Sequence, residues 1–412
     1  MSMPVVKPAE ASNPNCSPIM IPPRRAIVAG AICLDIIPDV SAIDPGAFNA
    51  HFKPGHMLEA GAATLSTGGL VSNTGLALHR LGVPVHLNAK VGDDAFGHVI
   101  ERLVNSIDPD LLAGMKFDPQ ATTSYTIIVS PPQIDRIFLH CPGANHDFVS
   151  ADVSGDQLAQ ADLLHFGYPP VMRRIYSDGG RELADLMFRA KTIGLTTSLD
   201  LCYPDPHSEA GQLDWIALLR SVLPHVDVFA PSLEELLFML RRQTLEQLTA
   251  RGSLLDQATP ALLHDISDEL MGMGTKIVLI KLGARGAYLH TATRTALDQL
   301  GRAAPTARAS WADREVWAPC FDVEVVGTTG SGDATIAGFL SALLRDAAPE
   351  EAMTMAVAVG ACNVEAPDAL SGLLSWEDTQ RRIAGGWSRL PSKIDAPGWQ
   401  WNDQHQLWER GT

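Results

Sequence analysis

The feature that most constrains the fold is a regular alternation of short apolar strands and helical segments in the second half of the chain. Strands are predicted at Leu163–Gly167, Thr196–Leu201, Val226–Ala230 and Lys276–Leu282, and a helix at Gly179–Ile193. Parallel strands need crossover helices between them, and apolar strands of this kind are typical of sheets covered on both faces. The sequence therefore predicts an α/β fold, with a Rossmann-like three-layer parallel sheet flanked by helices.

A glycine-rich turn late in the chain predicts an anion-binding site. Residues 325–343, VVGTTGSGDATIAGFLSAL, join a β-prone segment to a segment whose apolar residues have helical spacing. The first N–H groups of a helix carry positive partial charge, and glycines let the backbone approach a phosphate without an intervening Cβ. We therefore predict an anion hole formed by the backbone of Gly330, Ser331 and Gly332.

Asp333 follows this turn directly, and a carboxylate at that position has two possible roles. It would repel a phosphate, which favours a proton acceptor over a binding group. Such a base could take the proton of an attacking hydroxyl group while the turn stabilises the transferring phosphoryl group. Asp is also a favoured N-cap residue, so the turn alone leaves helix capping open as the alternative.

A second glycine pair predicts a binding site for a polyol. Gly68 and Gly69 precede a helical segment that ends near Gly82, and Asn73 lies in its first turn, where Asn seldom stabilises a helix. Asn73 could face a ligand or could cap the helix. Asp35, just past the predicted strand Ala26–Ala31, could hold substrate hydroxyl groups or could stabilise a turn.

Two β-prone segments interrupt the βα order and predict a small β-sheet lid. Thr122–Val129 and Arg136–His140 are predicted to pair, with Pro131 and Pro132 between them. Pro38–Gly61 is rich in loop residues, so the lid is assigned to residues of about 38–62 and 120–142. A projecting lid leaves an edge and an apolar face exposed, which suggests a homodimer formed through the lids.

The overall charge excludes some classes of partner. The chain has 31 basic and 47 acidic residues, a formal net charge of −16. Such a surface disfavours nucleic acid and anionic membranes, and no apolar run is long enough to span a bilayer. The six cysteines are scattered, which indicates reduced thiols in a cytoplasmic protein rather than a disulfide framework or a zinc site.

The ends of the chain differ in composition from the rest. Residues 1–24, rich in Pro, Ser and Asn, are predicted to be a disordered leader, and residues 25–390 to be the main domain. The tail at 391–412 is rich in Trp and is expected to pack on the body or on a partner subunit. Residues 244–265 are predicted as an inserted helical segment and 291–312 as a surface loop.

The two glycine-containing segments together are specific to one family. GGLVSNTGLALHRLG and VVGTTGSGDATIAGFLSAL, in this order and separation, resemble the two signature segments of the ribokinase-like (PfkB) carbohydrate kinase family. Shorter landmarks also match: VGDDAFG, CPGAN, PSLEEL and KLGARG. The resemblance covers residues of about 25–380.

The resemblance implies ATP-dependent phosphorylation of a hydroxymethyl group on a sugar, with Mg²⁺ held mainly through the nucleotide. Asp333 would be the catalytic base, and Glu235 would support the Mg²⁺ ion through its outer shell. The other positions that the resemblance assigns are, on the substrate side, Asp35, Gly68, Gly69, Asn73, Arg136 and Asn145, and, on the ATP side, Lys281, Gly283, Gly286, Thr328 and Thr329.

Three departures from the family's pattern modify these expectations. Ser232 stands where the family has Asn in its PNxxE motif, so a retained Mg²⁺ dependence of altered strength is expected. Gly327 replaces an Asp that in several members helps to hold a monovalent cation, so K⁺ activation should be weak or absent. Leu70 stands where ribokinases proper usually have Lys, which favours action on a sugar other than ribose.

Two alternatives remain open at this point. A ribonucleoside kinase of the same fold would need an aromatic or apolar wall for the base of its substrate. A catalytically silent sugar or nucleotide sensor would have no use for a base directed at its phosphate site.

Overall fold

The computed structural model describes residues 23–44, 46, 48, 52–133 and 137–411. The leader predicted at 1–24 therefore lies almost wholly outside the described residues, as does Arg136. The strands are β1 (Ala26–Gly30), β2 (Cys33–Ile37), β3 (Thr64–Gly68), β4 (Val85–Asn88), β5 (Lys90–Gly92), β6 (Lys116–Asp118), β7 (Tyr125–Val129), β8 (Ile137–Cys141), β9 (Leu163–Gly167), β10 (Thr196–Leu199), β11 (Val228–Phe229), β12 (Ile277–Lys281), β13 (Ala287–Thr291), β14 (Glu315–Ala318), β15 (Trp399–Asn402) and β16 (Leu407–Arg410).

The helices alternate with these strands over most of the described chain. They are α1 (Leu70–Arg80), α2 (Ala95–Asn105), α3 (Gly155–Ala159), α4 (Arg173–Thr192), α5 (Trp215–Val222), α6 (Leu233–Leu240), α7 (Arg242–Thr249), α8 (Pro260–Gly272), α9 (Arg294–Leu297), α10 (Arg308–Trp311), α11 (Ser331–Leu344), α12 (Pro349–Val364) and α13 (Trp376–Ala384).

The main sheet has ten strands in the order β15-β16-β14-β13-β12-β11-β10-β9-β1-β4. The six strands from β4 to β12 are parallel, and β12, β13, β14, β16 and β15 pair antiparallel in succession. The reversal after β12 occurs at Gly283–Arg285, a single 3₁₀ turn ended by Gly286 with φ +90°. The predicted α/β class is confirmed, with an antiparallel edge added to the parallel core.

Apolar side chains fill both sides of this sheet and define the three layers. Val28 of β1 belongs to the cluster packed with α1, α11 and α12. Its neighbour Ile27 belongs to the cluster on the opposite face, packed with α4, α5, α6 and α8. Because successive strand residues point to opposite faces, both faces of a central strand must be apolar, as the sequence is here.

The small sheet projects from one part of the main domain with the order β3-β2-β7-β8. β7 and β8 pair antiparallel as predicted, with Val129 opposite Ile137. The other two strands, β2 and β3, were not predicted: the sequence suggested a turn near Asp35 and a glycine pair leading into a helix at Gly68 and Gly69. The two strands pair antiparallel, and the stretch assigned to the lid joins them. Pairing of β2 with β7 stabilises Cys33–Ile37 as a strand, a long-range effect that local pattern does not contain.

Several local expectations differ from the structure. The β-prone run ending at Val326 is not a strand, and the side chains of Val325 and Val326 are 60% and 58% exposed. The helix predicted from Gly179 begins at Arg173 and has non-helical backbone at 177–180. Residues 291–312 include α9 and α10, and Trp311 is buried, so this stretch packs on the body.

The C-terminal tail is a structural part of the main sheet. β15 and β16 form a hairpin in which Trp401 pairs with Trp408, and β16 pairs with β14 through Trp317. The tail therefore extends the sheet edge rather than packing on it from outside.

Among the residues described, no helix combines the length and apolarity that a bilayer crossing requires. The five cysteines within the described residues, from Cys33 to Cys362, have free thiols.

Candidate active site

The glycine-rich turn leads into α11, and its geometry opens the helix N-terminus toward a cavity. Gly330 is the N-cap residue, with φ +74° in the left-handed region. A Cβ at Gly330 would lie 2.5 Å from the Cβ of Ala369, so a side chain is excluded by both conformation and space. The first N–H groups of a helix have no intrahelical partner, and here they belong to Ser331, Gly332 and Asp333; that of Ser331 makes a long bond, 3.3 Å, to the carbonyl oxygen of Thr328. The turn is thus suited to bind an anion.

Asp333 is the third residue of α11 and is 2% exposed. Its Oδ2 accepts hydrogen bonds from Asn73 Nδ2 at 2.9 Å and from the Tyr168 hydroxyl at 2.8 Å. Its Oδ1 accepts one from Thr74 Oγ1 at 3.3 Å. Since Gly330 occupies the N-cap position, the interpretation of Asp333 as a helix cap is wrong.

The environment of Asp333 acts on its pKa in two directions. Burial raises the pKa of the Asp333 carboxyl group, because a charged form is poorly solvated in the interior. The hydrogen bonds from Asn73, Tyr168 and Thr74, and the positive charge of Lys281, lower it. The net direction is upward, which is the direction a general base near neutral pH needs.

The Tyr168→Phe variant should shift the pH dependence of the reaction. Loss of the hydroxyl removes one group that lowers the pKa of Asp333, so that pKa rises. In the role of base that the family resemblance implies for Asp333, the active form is the carboxylate, and activity falls as the pH drops through its pKa. We expect the acidic limb of kcat against pH to move to higher pH, measured by initial rates from acid to alkaline buffers.

Tyr288→Phe is the matched control for that experiment. Tyr288 is also a buried tyrosine that donates to a carboxylate, Glu315 Oε2, at 2.7 Å, but it lies outside the cavity. Its replacement should leave the pH profile unchanged. An unchanged profile for Tyr168→Phe would show that the hydroxyl does not influence the base.

Lys281 supplies the positive charge of the site. Its Nζ lies 2.5 Å from Asp200 Oδ1, and a Cβ built on Gly332 would lie 3.6 Å from the same Nζ. The ammonium group is thus beside the N-terminus of α11. Burial alone would lower the pKa of Lys281, but the acidic groups of Asp200, Glu235 and Asp333 together outweigh burial and raise it, so the group stays charged.

A cavity of about 600 Å³ joins these groups. It contains most of the residues predicted on the ATP side, whereas Thr329, in the same turn, does not line it. Glu235 also lines it, and its Oε2 accepts a hydrogen bond from the Ser232 N–H at 2.7 Å in a capping box of α6. The predicted residues that line the cavity are Glu235, Lys281, Gly283, Gly286, Thr328, Gly330, Ser331, Gly332 and Asp333.

The predicted substrate side lies where the small sheet meets α1. Asp35 is inside β2 rather than in a turn, so its interpretation as a turn-stabilising residue is wrong. A Cβ at Gly68 would lie 2.2 Å from Asp35 Oδ2, and Gly69, with φ +83°, leads directly into α1. Burial raises the pKa of the Asp35 carboxyl group to about 6.

Asn73 and Asn145 have contacts that the sequence did not indicate. Asn73 does not cap α1, whose N-cap is Gly69; its Nδ2 donates to Asp333 Oδ2. The amide of Asn145 accepts from the N–H of Ile32 at 3.2 Å and donates to its carbonyl oxygen at 2.9 Å. Asn145 therefore fixes the chain between β1 and β2 and does not line the cavity.

Three contact residues of the site were missed from the sequence, namely Thr74, Tyr168 and Asp200. Tyr168 follows the last residue of β9, and Asp200 follows the last residue of β10. Ligands of open α/β sheets gather at the carboxyl ends of the strands, so this rule could have identified both. Thr74 follows Asn73 in α1, and no sequence feature of its own indicated a place in the site.

Comparisons with known proteins agree with this geometry. The model of the pfkB family carbohydrate kinases matches residues 25–376. Fructokinase-2 of Solanum habrochaites is 23% identical over 371 residues, covering 87% of this chain and 95% of its own.

Solved structures share the fold over nearly their whole length. Arabidopsis thaliana ribokinase, complexed with ribose and ATP, has a TM-score of 0.64 at 17% identity, over 87% of this chain and 98% of its own. A fructokinase with bound ATP from Xylella fastidiosa has a TM-score of 0.63 at 19% identity, over 88% of this chain and 98% of its own.

Proposed function

The chain belongs to the pfkB family of carbohydrate kinases, and we propose that it transfers the γ-phosphoryl group of ATP to a primary hydroxyl group of a sugar. The observation that carries this proposal is the position of Asp333. A buried carboxylate with an upward-shifted pKa stands beside an open helix N-terminus and a buried ammonium group. A proton acceptor next to an anion-binding turn is what phosphoryl transfer to an alcohol requires.

The two oxygens of Asp333 differ in their capacity to accept a further hydrogen bond. Oδ2 already accepts two, from Asn73 and Tyr168, whereas Oδ1 accepts one long bond from Thr74. Oδ1 is therefore the atom that takes the proton of the sugar hydroxyl group. As the sugar oxygen bonds to the γ-phosphorus, the bond from phosphorus to the β–γ bridging oxygen breaks and ADP leaves.

The anion hole and Lys281 offset the negative charge of the reacting phosphates. The chain carries a net charge of −16, so a triphosphate needs local compensation to bind. The N–H groups of Ser331 and Gly332 and the ammonium group of Lys281 converge at one end of the cavity. The N–H dipoles and the ammonium charge are in place before the reaction, which is how a preorganised site stabilises charge in the transition state.

Glu235 fits the role of an outer-shell partner for Mg²⁺. Its Oε2 is used by the capping box with Ser232, which leaves Oε1 for a water molecule of the ion that accompanies ATP. The ion would neutralise phosphate charge, as it does in kinases that bind it through few protein ligands. The Ser232 hydroxyl accepts from the Glu235 N–H at 3.3 Å, so it serves α6 first.

The surroundings of Gly327 support weak K⁺ activation. A Cβ at Gly327 would lie 2.8 Å from the carbonyl oxygen of Ala366 and 3.0 Å from the Cα of Pro367. An acidic side chain could not enter there unless the segment at 366–367 shifted. The chain therefore has neither the carboxylate nor the room for one at this position.

Asp35 is proposed to bind sugar hydroxyl groups. In the Asp35→Asn variant the KM for the sugar should rise about 10- to 100-fold, as expected when one or two bonds to a charged group are lost. The KM for ATP should change less than about twofold. Steady-state kinetics with each substrate varied would measure both constants, and Asp39→Asn, an exposed carboxylate in the following loop, is the control. A sugar KM unchanged by Asp35→Asn would remove Asp35 from the sugar site.

A second copy of the chain is the proposed partner of the small sheet. Leu65 and Leu139 lie on one face of this sheet and are 43% and 56% exposed, and Phe138, on the other face, is 54% exposed. β3 and β8 are its edge strands, so pairing of two such sheets would cover both the apolar face and the edges. A cytoplasmic location stays a prediction.

A coupled assay of ADP release with Mg·ATP tests the proposed reaction. The panel contains fructose, ribose and other sugars, together with ribonucleosides. Turnover with one sugar, lost in the Asp333→Ala variant, is the expected result. Turnover with nucleosides alone would favour the nucleoside kinase, and tight sugar binding without turnover would favour the sensor.

A further inference from the structure

A segment between α7 and α8 lines the cavity on the side of the turn at residues 283–286, named the GARG turn below. This segment, residues 249–258, begins at the last residue of α7 and contains a single 3₁₀ turn at Leu255–Gln257. It belongs to the stretch that the sequence marks as an insertion. Its residues at the cavity are Thr249, Ser253, Leu254 and Leu255.

Arg285 fixes the segment to the GARG turn. One guanidinium nitrogen of Arg285 donates to the carbonyl oxygens of Leu255 at 2.7 Å and Ala258 at 2.8 Å. The same guanidinium lies over the ring of Trp317, 4.7 Å from its centre. A Cβ at Gly283 would approach Leu255 Cδ1 to 2.9 Å, so the leucine packs directly on the turn. The segment and the turn therefore form one wall.

The cavity has a polar end and an apolar end. The polar end holds Lys281, Asp333 and the N-terminus of α11. The apolar part of the lining comprises Leu254 and Leu255 of the segment and Val357, Ala361 and Val364 of α12. A triphosphate bound at the polar end would extend its base toward the apolar end.

We propose that residues 249–255 form the wall against which the nucleotide base packs, so that this insertion sets the affinity for ATP. The inference rests on the proposed function insofar as the cavity binds a nucleotide. Leu254 and Leu255 are half-buried, and they become more buried when a flat heteroaromatic ring covers them. Arg285 touches neither base nor phosphate in this arrangement and acts as a positioning residue.

The test compares the binding of two triphosphate anions, one with an adenosine group and one without. The wild type and the Leu254→Ser/Leu255→Ser variant are titrated calorimetrically with Mg·ATP and with Mg·tripolyphosphate, in the absence of sugar. We expect the Kd for ATP to rise about 10-fold or more in the variant, the loss expected when apolar contact to a ring is removed. The Kd for tripolyphosphate should stay within about twofold, since the phosphate end is untouched.

Two further variants keep the test decisive. Ile107→Ser removes an exposed apolar side chain remote from the cavity and should change neither Kd. Arg285→Met frees the segment without altering its leucines and should weaken ATP alone, with a larger effect on the KM for ATP than on kcat. Equal weakening of both ligands, or no weakening of ATP, in the leucine and Arg285 variants would overturn the inference. Failure of the wild type to bind ATP would instead overturn the proposed function.

Discussion

The Asp333→Asn variant is expected to lose kcat by about 10²- to 10⁴-fold, the usual contribution of a positioned general base. Asn has nearly the same shape as Asp but cannot accept the proton of the sugar hydroxyl group. The hydrogen bonds from Asn73 and Tyr168 to Oδ2 can persist if the amide oxygen takes that position. The loss should therefore appear in kcat, while the Kd for Mg·ATP changes little.

Initial rates at saturating substrates and calorimetric binding of Mg·ATP measure the two effects. Asp403→Asn, which alters an exposed carboxylate in the C-terminal hairpin, is the matched control and should leave both unchanged. A variant of Asp333 that keeps more than about a tenth of the wild-type kcat would contradict the role of general base.

The Lys281→Met variant should lower kcat/KM by about 10²- to 10³-fold, as the loss of one preorganised positive group does elsewhere. Lys281 is the ammonium group beside the N-terminus of α11, and methionine fills similar volume without charge. The change also leaves Asp200, which is 1% exposed, without its cation. An unpaired buried charge costs about 3–5 kcal/mol, so the variant should also be less stable.

The Asp200→Asn/Lys281→Met double variant separates the two effects. It removes both charges, so the thermal stability should recover toward that of the wild type. The activity should stay low, because the positive charge at the phosphate end is still missing. Recovery of kcat together with stability would mean that Lys281 matters only for folding. The measurements are thermal unfolding and steady-state kinetics on the same protein samples.

The sequence was sufficient for the parallel core because that information is local. Strands β9 and β12 are mainly apolar, with one polar residue each, His165 and Lys281, and the glycine turns before α1 and α11 mark helix starts by their own residues. Strand β2 was not predictable in this way. Cys33–Ile37 contains an aspartate and becomes a strand only through pairing with β3 and β7, which lie far along the chain.

The same distinction applies to the candidate site. The position of Asp333 was clear from the turn that precedes it, whereas its three hydrogen-bond donors come from two other elements. Tyr168 carries φ +64° after β9 and reaches the carboxylate only because β9 lies beside β1 in the sheet. The family resemblance places Asn145 on the substrate side; in the structure its amide pairs with the backbone of Ile32, a contact that local pattern cannot reveal.

The bond between Asn73 and Asp333 joins residues that are 260 positions apart. A ribosome makes the chain from its N-terminus, so α1 is complete long before α11 leaves the exit tunnel. A nascent chain without α11 lacks both the carboxylate and the turn that would bind phosphate. On the proposed mechanism, a nascent chain therefore transfers no phosphoryl group until α11 has been made and has docked on α1.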